Sequence, residues 1–235
     1  MAKRIGILGG ISHTSTVKYY ELLLQKYHQR KQDYYFPEIV IYSLNLQKFT
    51  DYEDRGEREG YIAYIMQGIR ALEHAGADFI VIAANSAHAV FQDVEKAANV
   101  PLVSIVEVTA KHARDAGMKK LLLLGIKFTM QAAFYRDICE NYGMTIIIPS
   151  EEEQDEINRI IFEELVLGSF KEESRSYLLR IIASSDADGV ILGCTELPLL
   201  LRQEDVNIRL FDTLELHVKA ALDYSQNNRQ EAPPL

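Results

Sequence analysis

Short runs that are apolar at nearly every position alternate along this chain with longer stretches whose apolar residues recur every third or fourth position. The short runs fall at residues 4–8, 38–42, 79–83, 102–105, 120–124, 145–148, 189–192 and 208–211. Near-continuous apolar character marks parallel strands covered on both faces. Between them, Ile62, Ile65, Ile69 and Leu72 follow helical spacing, as do Ile157, Ile160, Ile161 and Leu165. Gly76, Gly117, Gly143 and Gly168 each follow a helix candidate and mark its end. Strands alternating with helices predict an α/β fold built on parallel sheets.

The eight strands divide into two similar sets. Ala77-Asp78 precedes a buried run that ends in a small residue and the polar pair Asn85-Ser86; Ala187-Asp188 precedes a second such run ending in Gly193-Cys194-Thr195-Glu196. The opening strand with its glycine turn is echoed by residues 120–125. The pattern predicts two doubly wound lobes, with the active site in the cleft between them, because ligands of α/β sheets bind outside the carboxyl ends of the strands. The expected division is residues 1–102 with 210–228 as lobe 1 and 103–209 as lobe 2. Residues 229–235, the end of a polar stretch closing in Pro-Pro-Leu, are expected to form a flexible tail.

Charge and cysteine content narrow the function classes. Acidic residues outnumber basic ones, 34 to 25, for a formal charge of -9, which argues against nucleic-acid and anionic-membrane partners. No apolar stretch reaches transmembrane length, and the start runs directly into a strand pattern without the features of a signal peptide. With only Cys139 and Cys194, the chain reads as cytoplasmic, with reduced thiols and no disulfide scaffold. His13, His28, His74, His88, His112 and His217 show no paired ligand spacing, so no metal site is expected.

Three segments carry candidate chemistry. Gly9-Gly10-Ile11-Ser12-His13-Thr14-Ser15-Thr16 follows the first strand and opens a helix. Its backbone amides suit a small carboxylate, although a capped strand–helix turn accounts for the same residues. The third glycine of a dinucleotide fingerprint and a Walker lysine are both absent. Asn85-Ser86-Ala87-His88 closes a buried strand and reads equally as a helix cap. Gly193-Cys194-Thr195-Glu196 is more telling. A thiol at the N-terminus of the next helix is expected to have a lowered pKa, with Glu196 beside it for proton transfer; the competing reading is a small buried hydrophobe. Cys139, within the helical pattern 131–142, reads as core. The acidic run 151–156 reads as a solvated helix start. Lys48 lies in a charged, mostly surface stretch from which it can reach a cleft.

Taken together, these segments resemble the cofactor-independent aspartate/glutamate racemase family over nearly the whole chain. Gly9-Gly10-Ile11 is similar to that family's Gly-Gly-Met turn, and Asn85-Ser86-Ala87-His88 to its Cys-Asn-Thr-x-His motif. Leu123-Leu124-Gly125 with Thr129 resembles its central turn, and Gly193-Cys194-Thr195-Glu196 its second cysteine motif. The resemblance implies two α/β lobes, no pyridoxal phosphate or other cofactor, a homodimer, and a small acidic amino acid or dicarboxylate as ligand. It makes Cys194 one of two proton-transferring thiols and Glu196 an auxiliary acid/base. Gly9, Gly10, Ser12, Lys48, Ala84, Asn85, Ser86, Thr129 and Thr195 become substrate-binding candidates. Two departures stand out. Ala84 occupies the place of the first cysteine, and a methyl group transfers no proton. Lys48 replaces a family arginine and so loses its bidentate fork, preceded by Gln47 where some members have an aspartate.

Three readings follow. The first is an isomerase of the aspartate/glutamate racemase type, with Cys194 as one base and water, Ser86, His88 or Lys48 as the second proton carrier. The second is a one-cysteine enzyme such as a malonate-type decarboxylase, resembling the arylmalonate decarboxylases, whose first cysteine position is also vacant. The third is a non-catalytic dicarboxylate-binding protein.

Overall fold

Packing divides the chain into two units, one running to Val108 and resuming at Leu214, the other spanning Thr109–Thr213. They are seen in a computed structural model that describes residues 2–226. Unit 1 contains β1 (Ile5–Gly9), α1 (His13–Lys31), β2 (Ile39–Ser43), α2 (Leu46–Arg55), α3 (Arg58–His74), β3 (Phe79–Ile82), α4 (Phe91–Ala97) and β4 (Leu102–Val103). The chain leaves it through α5 (Ile105–Asp115). Unit 2 contains β5 (Lys120–Leu124), α6 (Lys127–Gln131), α7 (Phe134–Asn141), β6 (Thr145–Ile147), α8 (Glu151–Glu163), α9 (Glu172–Ser184), β7 (Gly189–Leu192) and β8 (Arg209–Asp212), and α10 (Thr213–Gln226) returns to unit 1. No described helix is long and apolar enough to cross a membrane.

Each unit is a four-stranded, wholly parallel sheet, ordered β2-β1-β3-β4 and β6-β5-β7-β8. The expected α/β, twofold-repeated architecture is therefore present. The two central strands of each sheet explain why their sequences read as continuous apolar runs. In unit 1, alternate residues face opposite layers. Ile5, Ile7, Phe79 and Val81 pack with Tyr19 and Leu23 of α1 and Leu214, Val218 and Leu222 of α10. Leu8, Ile80 and Ile82 pack with Phe49 of α2, Tyr61, Ile65, Ile69 and Leu72 of α3, and Val94 of α4.

The repeated Ala-Asp has one structural job in both units. Asp78 Oδ2 accepts a hydrogen bond from the Arg4 amide at 2.7 Å, and Asp188 accepts from the Lys119 and Lys120 amides at 2.8 and 3.1 Å. Each aspartate thus ties the start of its strand to the start of the neighbouring one. The four glycines expected to end helices all take positive φ, between 72° and 83°, the left-handed region where an L side chain is strained.

Three boundaries differ from expectation. The strand expected at 102–105 stops at Val103, because Ser104 Oγ accepts from the Glu107 amide at 3.2 Å and starts α5. The helical pattern 131–142 resolves into α6 and α7, broken at Ala132, which is extended at φ -67°, ψ 151°. The units divide at 108/109 and 213/214 rather than at 102/103 and 209/210. Pairing is the reason: Val103 is in register with Val81 of β3, and Leu210, Phe211 and Asp212 with β7. The tail expected at 229–235 lies outside the described residues.

Candidate functional site

In each unit the strand order reverses direction at the central pair, and the carboxyl ends of those two strands carry the polar motifs. In unit 1 they are the ends of β1 and β3. The turn after β1 places Gly9, Gly10 and Ser12 ahead of α1. Gly10 has φ 85°, and a Cβ there would sit 2.2 Å from the Leu44 carbonyl oxygen, so only glycine fits. Its amide donates to Thr16 Oγ1 at 2.8 Å, and Thr16 donates to the Ser12 carbonyl at 2.9 Å. Ser12 caps α1 by accepting from the Ser15 amide at 3.4 Å. Much of this turn's hydrogen-bonding capacity is therefore spent on its own geometry.

Ala84, Asn85 and Ser86 follow β3, all buried. They lead into a short 3₁₀ turn, Ser86–Val90, for which Asn85 provides no side-chain cap. His88 lies in this turn, fully buried and stacked on Phe91 with centroids 4.8 Å apart. Its Nδ1 is 3.0 Å from the Ala84 carbonyl oxygen, and Nε2 accepts from the Ile105 amide at 3.2 Å. A carbonyl only accepts, so Nδ1 carries the proton and both nitrogens are engaged. Burial, with His217 nearby, pushes the His88 pKa down to about 3. His88 is thus a neutral brace beneath Ala84, and as a second proton carrier it is set aside.

Lys48 stands at the start of α2, its amide donating to Asn45 Oδ1 at 3.0 Å. Its ammonium lies over the Tyr64 ring, 4.4 Å from the centroid, a cation–π contact on an exposed side chain. The same helix supplies a group that sequence reading assigned to the charged surface. Glu53 follows Phe49 by one helical turn, and therefore shares that residue's inward face. Tyr61 Oη of α3 donates to Glu53 Oε1 at 2.8 Å, and Ser86 hydrogen-bonds to both. Burial holds the Glu53 carboxyl above the usual range despite these bonds, and burial together with Glu53 pushes the Tyr61 phenol well up. The i, i+4 spacing of Phe49 and Glu53 was the available signal for this placement.

In unit 2 the ends of β5 and β7 carry the motifs. Gly193 donates to the Leu124 carbonyl at 2.6 Å, and Cys194, Thr195 and Glu196 follow. Cys194 Sγ donates to Glu196 Oε2 at 3.0 Å, and Thr195 Oγ1 donates to the same oxygen at 2.9 Å. Cys194 and Glu196 are buried. The expected lowering of the thiol pKa is overturned. Burial first, and the adjacent Glu196 charge second, push Cys194 well above the ordinary thiol value, outweighing the Thr195 and Glu196 amides. The physical reason is that the chain continues into a three-residue 3₁₀ turn, Leu197–Leu199, rather than an α-helix, so no helix field opposes the carboxylate. Cys194 rests as a thiol aimed at its acceptor.

Thr129 of α6 lies beside Gly125 and Gly193: a Cβ built on either glycine would sit 3.3 or 3.5 Å from its methyl. It is 1% exposed, and its hydroxyl has no hydrogen-bond partner. A buried hydroxyl without a partner is costly, and a ligand group there would satisfy it. Cys139 is fully buried in α7 beside Tyr135, a core residue as expected. Among the described residues no cluster of His, Cys, Asp or Glu is placed to hold a metal ion.

A family model described as Asp/Glu/Hydantoin racemase matches residues 8–221. The broad specificity amino-acid racemase RacX of Bacillus subtilis (strain 168) is 27% identical over 220 residues, covering 89% of this chain and 92% of its own. Among solved structures, an aspartate racemase homologue from Pyrococcus horikoshii OT3 is 40% identical, with a TM-score of 0.82 over 96% of this chain and 100% of that one. The aspartate racemase of Picrophilus torridus, at 24% identity and a TM-score of 0.77 over 95% of this chain and 94% of its own, shares the fold.

Proposed function

Since the chain belongs to the Asp/Glu/hydantoin racemase family, we propose that it is an isomerase that moves a proton at the Cα of a small acidic amino acid, without pyridoxal phosphate or a metal. The observation that carries this reading is the hydrogen-bonded set Cys194–Glu196–Thr195 at the end of β7. A thiol must lose its proton before it can abstract another, and Glu196 is the acceptor at 3.0 Å. Glu196 is thus the group that would receive the Sγ proton as the thiolate forms. Thr195 holds the receiving oxygen in place.

The unpartnered Thr129 hydroxyl and the buried Asn85 and Ser86 support binding of a substrate carboxylate, as does the glycine turn through Gly9, Gly10 and Ser12. Lys48 supplies the positive charge as a point rather than a fork. The test is proton NMR of D- and L-aspartate and D- and L-glutamate in heavy water. Loss of the Cα–H signal that disappears with Cys194→Ser supports the reading; no exchange for any of the four sinks it.

The buried Ala84 methyl favours one second reading, decarboxylation of a malonate-like acid. That reaction needs a carbanion-stabilising pocket and one proton donor, which Cys194 alone can be. Carbon dioxide release from a substituted malonate, without Cα exchange of amino acids, would select it.

A further inference from the structure

We propose that Glu53 is a specificity-determining residue that accepts the α-ammonium group of the ligand beside Ser86. The inference rests on the reading of Ser86 as a carboxylate-binding residue given above, and every residue it uses belongs to unit 1. An amino acid brings a cation as well as its carboxylates, and a cation taken out of water needs an acceptor. The main-chain carbonyls at the ends of β1 and β3 are already engaged. Leu8 accepts from the Ala83 amide at 2.9 Å, Gly9 from the Leu44 amide at 2.9 Å, and Asn85 from the His88 amide at 3.0 Å. Ser12 accepts from Thr16 Oγ1 at 2.9 Å, and Ala84 from His88 Nδ1 at 3.0 Å.

Glu53 is a carboxyl at this place without a cation. It is half-buried on α2, Tyr61 Oη donates to its Oε1 at 2.8 Å, and Ser86 is bonded to both. Other acids near it in the chain and on α4 have partners: Asp51 and Glu57 each lie 3.9 Å from Arg55, and Asp93 pairs with Arg58 at 2.6 Å. No salt bridge involves Glu53 among the described residues, and the Lys48 ammonium of the same helix lies over the Tyr64 ring. The adjacent charge, Asp54, is itself acidic, and with burial it holds the Glu53 carboxyl above the usual range. An incoming ammonium would supply the missing counter-charge. Covalent structure provides the reach: α-ammonium and α-carboxylate share one carbon, so a group bonded to Ser86 stands beside the ammonium when Ser86 holds the carboxylate. A dicarboxylate lacking the amino group would instead set an anion against Glu53, which gives the site a means of rejecting it.

The test is isothermal titration calorimetry of the full chain with racemic aspartate and glutamate, and with succinate and glutarate, which carry the same carboxylates without the ammonium. Racemic ligand keeps the composition constant under turnover. Wild type should bind the amino acids about 10-fold or more tightly than the dicarboxylates. Glu53→Gln keeps the size and removes the charge, so it should weaken the amino acids by about 10- to 100-fold and leave succinate and glutarate unchanged or tighter. Glu53→Asp retains the charge one methylene short and should lose less; it serves as the second variant if thermal melts show Glu53→Gln unfolded. Equal weakening of both ligand classes, unchanged amino-acid affinity in the folded variants, or a wild type that prefers the dicarboxylates overturns the role of Glu53 and leaves the racemase reading standing. A wild type that binds none of the four overturns the carboxylate-site reading and this assignment with it. Amino-acid binding with the expected losses, but without Cα exchange in heavy water, supports Glu53 and overturns racemisation alone.

Discussion

Acidification from pH 6.5 to 5 should cost unit 1 much of its stability, through two histidines rather than through carboxylates. His88 and His217 are both fully buried, 6.4 Å apart, and burial pushes their pKa values to about 3 and about 4 from an ordinary 6.5. Their hydrogen bonds require neutral rings of opposite tautomer. His88 donates from Nδ1 to the Ala84 carbonyl and accepts at Nε2 from Ile105. His217 donates from Nε2 to the Val103 carbonyl at 2.9 Å and accepts at Nδ1 from Tyr19 Oη at 2.8 Å. Protonating His88 would set an N–H against the Ile105 amide. The folded pKa is depressed in both cases, so the stabilisation is fully present above pH 6.5. It declines as the unfolded chain takes up protons that the native state refuses. Each group contributes a slope of about 1.4 kcal/mol per pH unit, and the pair removes about 4 kcal/mol by pH 5. Against a total stability of about 5–15 kcal/mol for a domain, that is large. Glu53, raised in the fold, works in the opposite direction, so the measurement is best made in both wild type and Glu53→Gln. Urea unfolding followed by circular dichroism at half-unit pH steps gives the slope, since the chain contains no tryptophan to report by fluorescence. His217→Gln should lower the slope by about 1.4 kcal/mol per pH unit whatever its cost at pH 7.5. A wild-type slope below roughly 0.5 kcal/mol per pH unit in this window, or an unchanged slope in His217→Gln, would refute the neutral-pair argument.

Other predictions follow from individual contacts. Because burial and Glu196 hold the Cys194 thiol well up, its alkylation by iodoacetamide should be slow at pH 7 and accelerate continuously into the alkaline range; Glu196→Gln should make it faster at pH 8, and mass spectrometry of labelled peptides would show whether it does. Ala84→Cys, which puts a thiol at the end of β3, should raise racemisation of aspartate or glutamate in the heavy-water exchange assay; no gain would mean that the substrate site itself has diverged. Thr16→Val removes the acceptor for the buried Gly10 amide and the donor to the Ser12 carbonyl, so it should destabilise unit 1 by about 1–3 kcal/mol and raise KM more than it lowers kcat. Unchanged urea midpoints would show that the turn holds without that hydroxyl.

Much of this protein was determined by the sequence alone, because the information is local and periodic. Continuous apolar runs such as residues 79–82 and 189–192 admit few fates other than central parallel strands, and glycines at helix ends announce their positive φ. The repeated Ala-Asp, strand and polar pair encode the duplication, and the family match rests on motifs contiguous in the chain. Tertiary structure decided what depends on neighbours distant in sequence. Cys194 has a raised pKa because its strand end is buried and leads into a 3₁₀ turn beside Glu196, so the local rule of a helix N-terminus did not apply. His88 reads from sequence as a cap or a proton carrier, and only the Ile105 amide, seventeen residues away, makes it a brace. Glu53 sits in a stretch whose composition is that of a surface. Burial of one helical face against Tyr61, with Ser86 arriving from the end of β3, is what separates it from the charges around it. Pattern sets which elements form, while the environment of an ionisable group is a property of the packed whole.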